Sequence, residues 1–414
     1  MPSNIILYNS RYQHPVGQGF FHTGEISLGG KKLRYIYDCG SKHSDSLLSC
    51  INAYLAGTHD QKYLDVLFLS HLHEDHVNGL DALLGEIQVD TVVIPYLLPI
   101  ERLAVLASTL YEYPLSASYV HLVSDPLRWF EDRGVKRIIQ VKRGKGSTPK
   151  LPEFATPEMP LSSETLRIDF KKIPSNETYY SKGNSTEIMM MPHTIPLQII
   201  ADQIPINWTF LTFVHPIDKR VYKFKKAVIS SFGAIPNDNK WLVNIVHDPT
   251  MRKKLYSCYS KTWPDLNVTS LSMYSGPFTL TPCFHTIKWY KFGLPQINEY
   301  PFVTSMHDNN RCAWLGTGDS DLFTDSRRYE FLKYFGPLAN LVHTLALPHH
   351  GSKNNFHQEL LDIGSPNCVI STGYMYGHPS QEVIRAVLHR NRHLVVVDQN
   401  PISMWQEEVA LSVD

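Results

Sequence analysis

Seven residues constrain this chain more than any others. Ser70-His71-Leu72-His73-Glu74-Asp75-His76 follows directly on the unbroken apolar run Val66-Leu67-Phe68-Leu69. The run has the character of a buried strand. Behind the turn, Val77, Leu80, Leu83 and Leu84 recur at helical spacing, and Gly85 is placed to end the helix. Three histidines and two carboxylates are thereby compressed into one strand-to-helix turn. Imidazole nitrogens and carboxylate oxygens suit zinc, iron and manganese, and so short a turn can fan four of them around one or two ions. Histidines of the turn can occupy one ion while Asp75 and His76, adjacent at the helix entry, face a second. A solvated turn without metal would account for a pair of histidines, but not for the order H-x-H-x-D-H.

The remaining composition sets limits. With 414 residues and 43% hydrophobic content, the chain can bury a large core as one domain with insertions or as two. Its six cysteines are widely spaced with no C-x-x-C pair, which argues against a zinc ribbon or a disulfide framework and favours a reducing compartment. No run of 18 apolar residues is present and the opening MPSNIILYNS lacks a basic flank, so the expectation is a cytoplasmic protein without a membrane span. Lys plus Arg and Asp plus Glu balance at 39 each, which excludes a general nucleic-acid coat protein. The charge is nevertheless uneven. Between Lys136 and Lys261, twenty basic residues face ten acidic ones.

Along the chain, Asn4 to Asp38 alternates apolar runs with Gly-rich turns, predicting strands and hairpins, and Asp38 falls where a strand ends. An aspartate there can hydrogen-bond a ligating imidazole from behind or cap a turn. A helix is predicted over Ser44–Ala56, a strand over Val89–Tyr96, helices near Ile100–Tyr111 and Pro126–Gly134, and a strand at Ile138–Val141. The Pro-, Ser- and Thr-rich stretch 146–207 and the aromatic, turn-rich stretch 277–311 are expected to be insertions within a single domain, 1–414. Strands are predicted at Trp208–Val214, Ala227–Phe232, Lys240–Val246 and Val268–Tyr274, and a helix at Arg252–Trp263. The C-terminal half repeats the pattern of the first turn. Cys312–Gly316 leads to Gly318-Asp319, Val342–Leu347 leads to Pro348-His349-His350-Gly351, and Val369–Thr372 leads to Gly377-His378-Pro379. Every candidate ligand thus lies just past a strand, at the edge where open α/β layers bind their ligands.

Together these segments resemble the metallo-β-lactamase fold, and more narrowly the soluble hydrolase domain of ComEC-type competence proteins, which belong to DNA-uptake systems. Val16-Gly17-Gln18-Gly19, Asp38-Cys39-Gly40, Thr317-Gly318-Asp319, Pro348-His349-His350-Gly351-Ser352 and Gly377-His378-Pro379 match that type in order. The resemblance implies an αββα sandwich with a dinuclear site along one edge. It also implies two divalent metal ions, zinc or, as the alternative, manganese. His71 and His73 would hold one ion, Asp75 and His76 the other. Asp319 would bridge both, His378 would complete the second site, and His349 or His350 would stand close by as a ligand or a proton shuttle. Two departures are visible. The further histidine that the fold supplies to the first ion has no clear counterpart, its place falling near Asn267, with His215 as the alternative. ComEC-type domains also commonly carry aspartate where His73 stands.

The expected chemistry is hydrolysis. Two ions together can lower the pKa of a water from about 15.7 toward about 7. In this scheme Asp319, Asp75 and His350 are the catalytic groups, with His350 protonating the leaving group. Lys219-Arg220-Val221-Tyr222-Lys223-Phe224-Lys225-Lys226 interleaves cations with aromatics and could track a phosphate backbone, or form a solvated strand pair. Because the ComEC-type resemblance also points to DNA, phosphodiester hydrolysis in nucleic acid or a nucleotide is the favoured reaction. A small carbonyl or thioester, or a metal-containing adaptor that binds a protein partner, is the alternative.

Overall fold

The computed structural model describes the chain apart from residues 1–5, 58–61, 111–114, 145–147, 150–164, 172, 174–177, 181–185, 203, 218, 235–243, 263–269, 280–282, 290–310 and 413–414. The elements in order are β1 (Ile6–Gln13), β2 (Gly19–Leu28), β3 (Lys31–Ser41), α1 (Ser44–Gly57), β4 (Tyr63–Phe68), α2 (Glu74–Val77), α3 (Leu80–Leu84), β5 (Gln88–Pro95), α4 (Pro99–Thr109), α5 (Ala117–Ser124), α6 (Pro126–Glu131) and β6 (Arg137–Lys142). There follow β7 (Leu166–Asp169), β8 (Thr178–Tyr180), β9 (Glu187–Pro192), β10 (Leu197–Ala201), β11 (Ile204–Val214), α7 (Lys219–Phe232), α8 (Pro249–Ser260), β12 (Leu271–Gly276) and β13 (Cys283–Trp289). The chain continues with β14 (Ala313–Gly316), α9 (Asp325–Phe335), β15 (Val342–Ala346), β16 (Asn367–Ser371), α10 (Gln381–His389), β17 (His393–Val397) and β18 (Trp405–Ser412).

The strands form two mixed sheets. The first runs β13-β18-β1-β2-β3-β4-β5-β6-β9-β8 and the second β17-β16-β15-β14-β12-β11-β10-β7. In each, the strands that carry candidate ligands are parallel neighbours: β3 to β4 and β5 in one, β14 to β15 and β16 in the other. Burial on both faces explains the unbroken apolar runs. In β4, Leu67 lies in the core beneath the helices, while Val66 and Phe68 on the opposite face lie between the sheets, in one cluster with Phe210, Met273 and Trp314. On the second sheet, Ala313 and Leu315 point outward beneath α9 and α10, where Phe331, Tyr334, Val383 and Val387 cover them. The layers are therefore helix, sheet, sheet, helix, the α/β sandwich expected from the sequence.

Several local expectations change. Lys219–Phe232 is one helix, so neither the strand over Ala227–Phe232 nor a strand pair around the lysines forms. Val221, Phe224 and Val228, spaced three and four apart, bury a helical stripe against the first helix layer. Residues 244–247 are helical where a strand was expected, and the remainder of that segment lies outside the described residues. The helix expected behind the histidine turn is two short ones, because Asn78 leaves the helix to clamp β3. Its Nδ2 donates to Ser41 O at 2.7 Å, and its Oδ1 accepts from Ser41 N at 2.9 Å. The stretch 146–207 contributes strands to both sheets, β9 beside β6 and β10 between β7 and β11. From 277–311, β13 adds a strand beside β18, and residues 290–310 lie outside the described part. No helix among the described residues is long and apolar enough to cross a membrane.

Candidate metal centre

The centre is built from the turn after β4. Asp38, near the end of β3, adopts a left-handed backbone (φ 59°), a conformation that aspartate tolerates better than most residues. Its carboxylate turns beneath the next strand. Oδ1 accepts the Ser70 backbone N–H at 2.7 Å, and Oδ2 accepts the Ser70 hydroxyl at 2.6 Å and faces His76 Nδ1 at 2.8 Å. With its proton given to Asp38, Ser70 Oγ accepts from His71 Nδ1 at 2.8 Å. One carboxylate and one hydroxyl thus orient two imidazoles. Gly40 lets α2 sit against β3, since a Cβ there would lie 2.5 Å from the backbone of His76 and Val77.

The second sheet brings the remaining groups. Gly318 takes a left-handed φ of 54° where a Cβ would strike Ser270 Oγ, and this close approach lets Ser270 accept the Asp319 N–H at 3.0 Å. Asp319 then faces three imidazoles, with Oδ1 3.3 Å from His76 Nε2 and Oδ2 3.7 Å from His71 Nε2 and 3.8 Å from His349 Nε2. After β15, His349 and His350 are both left-handed (φ 45° and 53°), so consecutive rings turn to the same centre. His349 Nδ1 lies 2.8 Å from Asn355 Oδ1, and His350 Nδ1 donates to Ser371 O at 2.9 Å. His350 Nε2 is 3.6 Å from Asp75 Oδ2.

This arrangement meets the demands of metal binding. In His71, His76, His349 and His350, Nδ1 is held by an oxygen, which leaves Nε2 as the atom directed at the carboxylates. The Nε2 atoms of His71, His76 and His350 are buried and have no hydrogen-bond partner among the described residues. Donor atoms of His71, His76 and Asp319 lie within 4.8 Å of one another, as do those of Asp75, His76 and His350. Charge points the same way. Burial opposes ionisation of Asp319 and Asp75. For Asp319, His76, His349 and His350 nevertheless hold the carboxyl well below its usual range, and for Asp75 His350, His76 and Lys42 do the same. Burial likewise opposes a charge on His76, but Asp319 and Asp38 raise it well above the ordinary imidazole value. A positive charge is called for at that point, and a cation there would take the place of the proton. Burial and the neighbouring His76 keep His71 neutral, the form that binds metal.

Not every expected residue joins these two sets. His73 packs edge-on to His71 with ring centroids 4.7 Å apart, and its Nε2 is 3.5 Å from Ser108 Oγ. Burial lowers its pKa to about 4. His378 lies 5.3 Å from His349, ring to ring, outside both three-residue sets, and burial followed by the two neighbouring histidines lowers its pKa to about 4. His215 is buried against Phe213 with ring centroids 4.8 Å apart and is in neither set. Asn267 lies outside the described residues. Sequence reasoning passed over Ser70, Ser270 and Asn355, which orient the donors. Only Ser70, adjacent to His71, offered a signal.

No family model matches the chain, and no curated protein matches it by sequence. Among solved structures it is similar to the metallo-beta-lactamase fold protein YhfI from Bacillus subtilis, at 11% identity over 96% of this chain and 99% of that one, with a TM-score of 0.36. It is also similar to unliganded yeast PDE1, at 8% identity, 98% and 99% coverage and a TM-score of 0.37. A third likeness is to a long form RNase Z from yeast, at 13% identity over 88% of this chain, 37% of that chain and a TM-score of 0.31. At such TM-scores these likenesses carry no argument, and the architecture stands on its own as two mixed sheets between helix layers.

Proposed function

We propose that this protein is a metal-dependent phosphodiesterase acting on nucleic acid or nucleotides, with two divalent ions, zinc before manganese, at the joint edge of the sheets. The observation that carries the reading is the convergence of four Nδ1-anchored imidazoles on Asp75 and Asp319. Bound there, the ions would supply Lewis acidity and an acidified water. The protein's own groups divide the remaining work. Asp319, whose two oxygens face different histidines, would be shared between the two ions. His71 would serve one of them, and Asp75, His76 and His350 the other. His350, buried beside Asp75, is better placed as a ligand than as the acid foreseen from the sequence. His349, whose side chain is 24% exposed, takes the proton-donating role toward the leaving group.

The nucleic-acid preference rests on α7. Its apolar stripe faces inward, so Lys219, Lys223, Lys225 and Lys226 are exposed, and Arg220 at its start lies 3.6 Å from Asp321, two residues past Asp319. A row of cations therefore begins beside the centre. The motif order in the sequence supports a hydrolase domain of the ComEC type.

Metal analysis and a panel of single-stranded DNA, double-stranded DNA, RNA and a simple phosphodiester test the proposal. Asp319→Asn should fold, shown by an unchanged circular dichroism spectrum, and lose turnover by orders of magnitude. Changing Lys223, Lys225 and Lys226 to Ala should flatten the dependence of log affinity on log salt by roughly 0.7–0.9 for each phosphate that is no longer neutralised. No hydrolysis of any panel substrate by the metal-loaded wild type rejects the enzymatic assignment, undiminished hydrolysis by Asp319→Asn rejects the role given to Asp319, and an unchanged salt slope rejects α7 as the phosphate track.

A further inference from the structure

The loop between β16 and His378 has no role in the chemistry above, yet it is unusual. In Gly373-Tyr374-Met375-Tyr376-Gly377, both tyrosines take left-handed backbones, with φ 58° and 57°. A side chain with a Cβ rarely adopts this conformation, and such positions concentrate at functional sites. Burial does not offset the strain here, because Tyr374 is 59% exposed and Tyr376 64% exposed. The loop is also fixed at both ends. Gly373 N donates to Gln18 Oε1 at 3.3 Å and Tyr374 N to Thr372 Oγ1 at 3.1 Å, while His378 N donates to Met375 O at 3.0 Å. Thr372 Oγ1 in turn donates to His378 O at 3.1 Å. Two rings are thus presented to solvent from a braced backbone.

The position of Tyr376 is equally specific, while Tyr374, two residues before it, has its hydroxyl against Asp398. The Tyr376 ring meets that of His378 at 6.4 Å, His378 meets His349 at 5.3 Å, and His349 Nε2 is 3.8 Å from Asp319. We propose that Tyr374 and Tyr376 form a stacking rim for unpaired nucleobases, holding a single-stranded nucleic acid with its backbone toward the metal centre. The inference rests on the phosphodiesterase reading and adds to it a preference for single strands. Aromatic faces take any base, but only one that is not stacked within a duplex. A docking site for an apolar protein segment is the weaker fit. The rings rise from a glycine-flanked loop beside an imidazole rather than from a continuous apolar patch.

The test is a binding comparison that needs no turnover. The full chain, in a chelator, is titrated into an end-labelled single-stranded oligonucleotide and into an abasic oligomer of the same length, with fluorescence anisotropy as the readout. Tyr376→Ala and Tyr374→Ala should each weaken binding of the base-bearing oligomer by about five- to hundredfold and leave the abasic one unchanged. The corresponding Phe variants should bind as the wild type does, and they serve as folded controls. Equal losses for both oligomers would reveal a structural role, and no loss, or a wild type that does not distinguish the oligomers, would overturn the stacking rim. Base discrimination in the chelator, together with no hydrolysis of any panel substrate by the metal-loaded protein, would reject the phosphodiesterase reading and leave the rim standing. Hydrolysis without base discrimination would do the reverse.

Discussion

Replacing Asp38 by Asn tests how the metal centre is held together without touching a proposed ligand. Three donors converge on the wild-type carboxylate: Ser70 N–H at 2.7 Å, Ser70 O–H at 2.6 Å and His76 Nδ1–H at 2.8 Å. An asparagine has one oxygen and one NH2 group to offer them. If the oxygen stays with the backbone N–H, the NH2 group faces His76 Nδ1, and the imidazole must carry its proton on Nε2, where the ion should bind. If the amide is reversed, two N–H donors oppose each other in a buried site, which costs about 1–3 kcal/mol. The first arrangement preserves the fold. Losing such a partner behind a ligand typically weakens metal affinity 10–100-fold, or about 1.4–2.7 kcal/mol. Competition against a chromophoric chelator measures that loss, and nitrogen-15 NMR of the metal-free protein reports whether His76, protonated on both nitrogens beside the two carboxylates of the wild type, has lost its Nδ1 proton. Wild-type affinity with the proton still on Nδ1 would refute the reasoning.

Two further perturbations probe the frame. Gly40→Ala places a methyl group 2.5 Å from the backbone of His76 and Val77. It should destabilise the fold by about 1–3 kcal/mol in thermal unfolding and weaken metal binding in parallel, whereas unchanged stability would show that α2 is free to move. Asp65, half-buried and facing Asp90 although Arg34 N donates to it at 2.7 Å, has its pKa raised from 3.8 to about 6, chiefly by loss of solvent. The raised value means that stability present below pH 3.8 is lost as pH rises through about 6. Asp65→Asn should therefore stabilise the protein above pH 6, by up to about 3 kcal/mol, and give no gain below pH 4 in denaturant titrations at the two pH values.

Much of this architecture was legible because its strands are buried on both faces and appear as unbroken apolar runs, each followed by a ligand-bearing turn. The His71–His76 turn, Asp319 and the His349-His350 pair stood out for that reason, and so did Asp38 as a group behind an imidazole. Less was visible where tertiary packing decides. In α7, closely spaced lysines drew attention to charge, while the stripe of Val221, Phe224 and Val228 that fixes the helix gains meaning only against the layer it packs on. The strands within 146–207 are short and separated by turn residues, and their pairing with β6 and β11 sets their role. The place of His350 beside Asp75 follows from the successive left-handed residues after Pro348, which no residue pattern announces. Ser270 and Asn355 are ordinary residues in sequence, made important by what lies across from them.

The division of the centre between two sheets also has a consequence for synthesis. Roughly 240 residues separate His76 from Asp319. At about 5–20 residues per second, a ribosome finishes the histidine turn on the order of 10–50 s before the carboxylate that faces it exists. Until then the nascent chain carries imidazoles without the partner that would close the site around an ion. The full donor set therefore arrives late and all at once, when the second sheet closes over the first, and a translation product truncated before Asp319 would lack the carboxylate that faces the histidine turn.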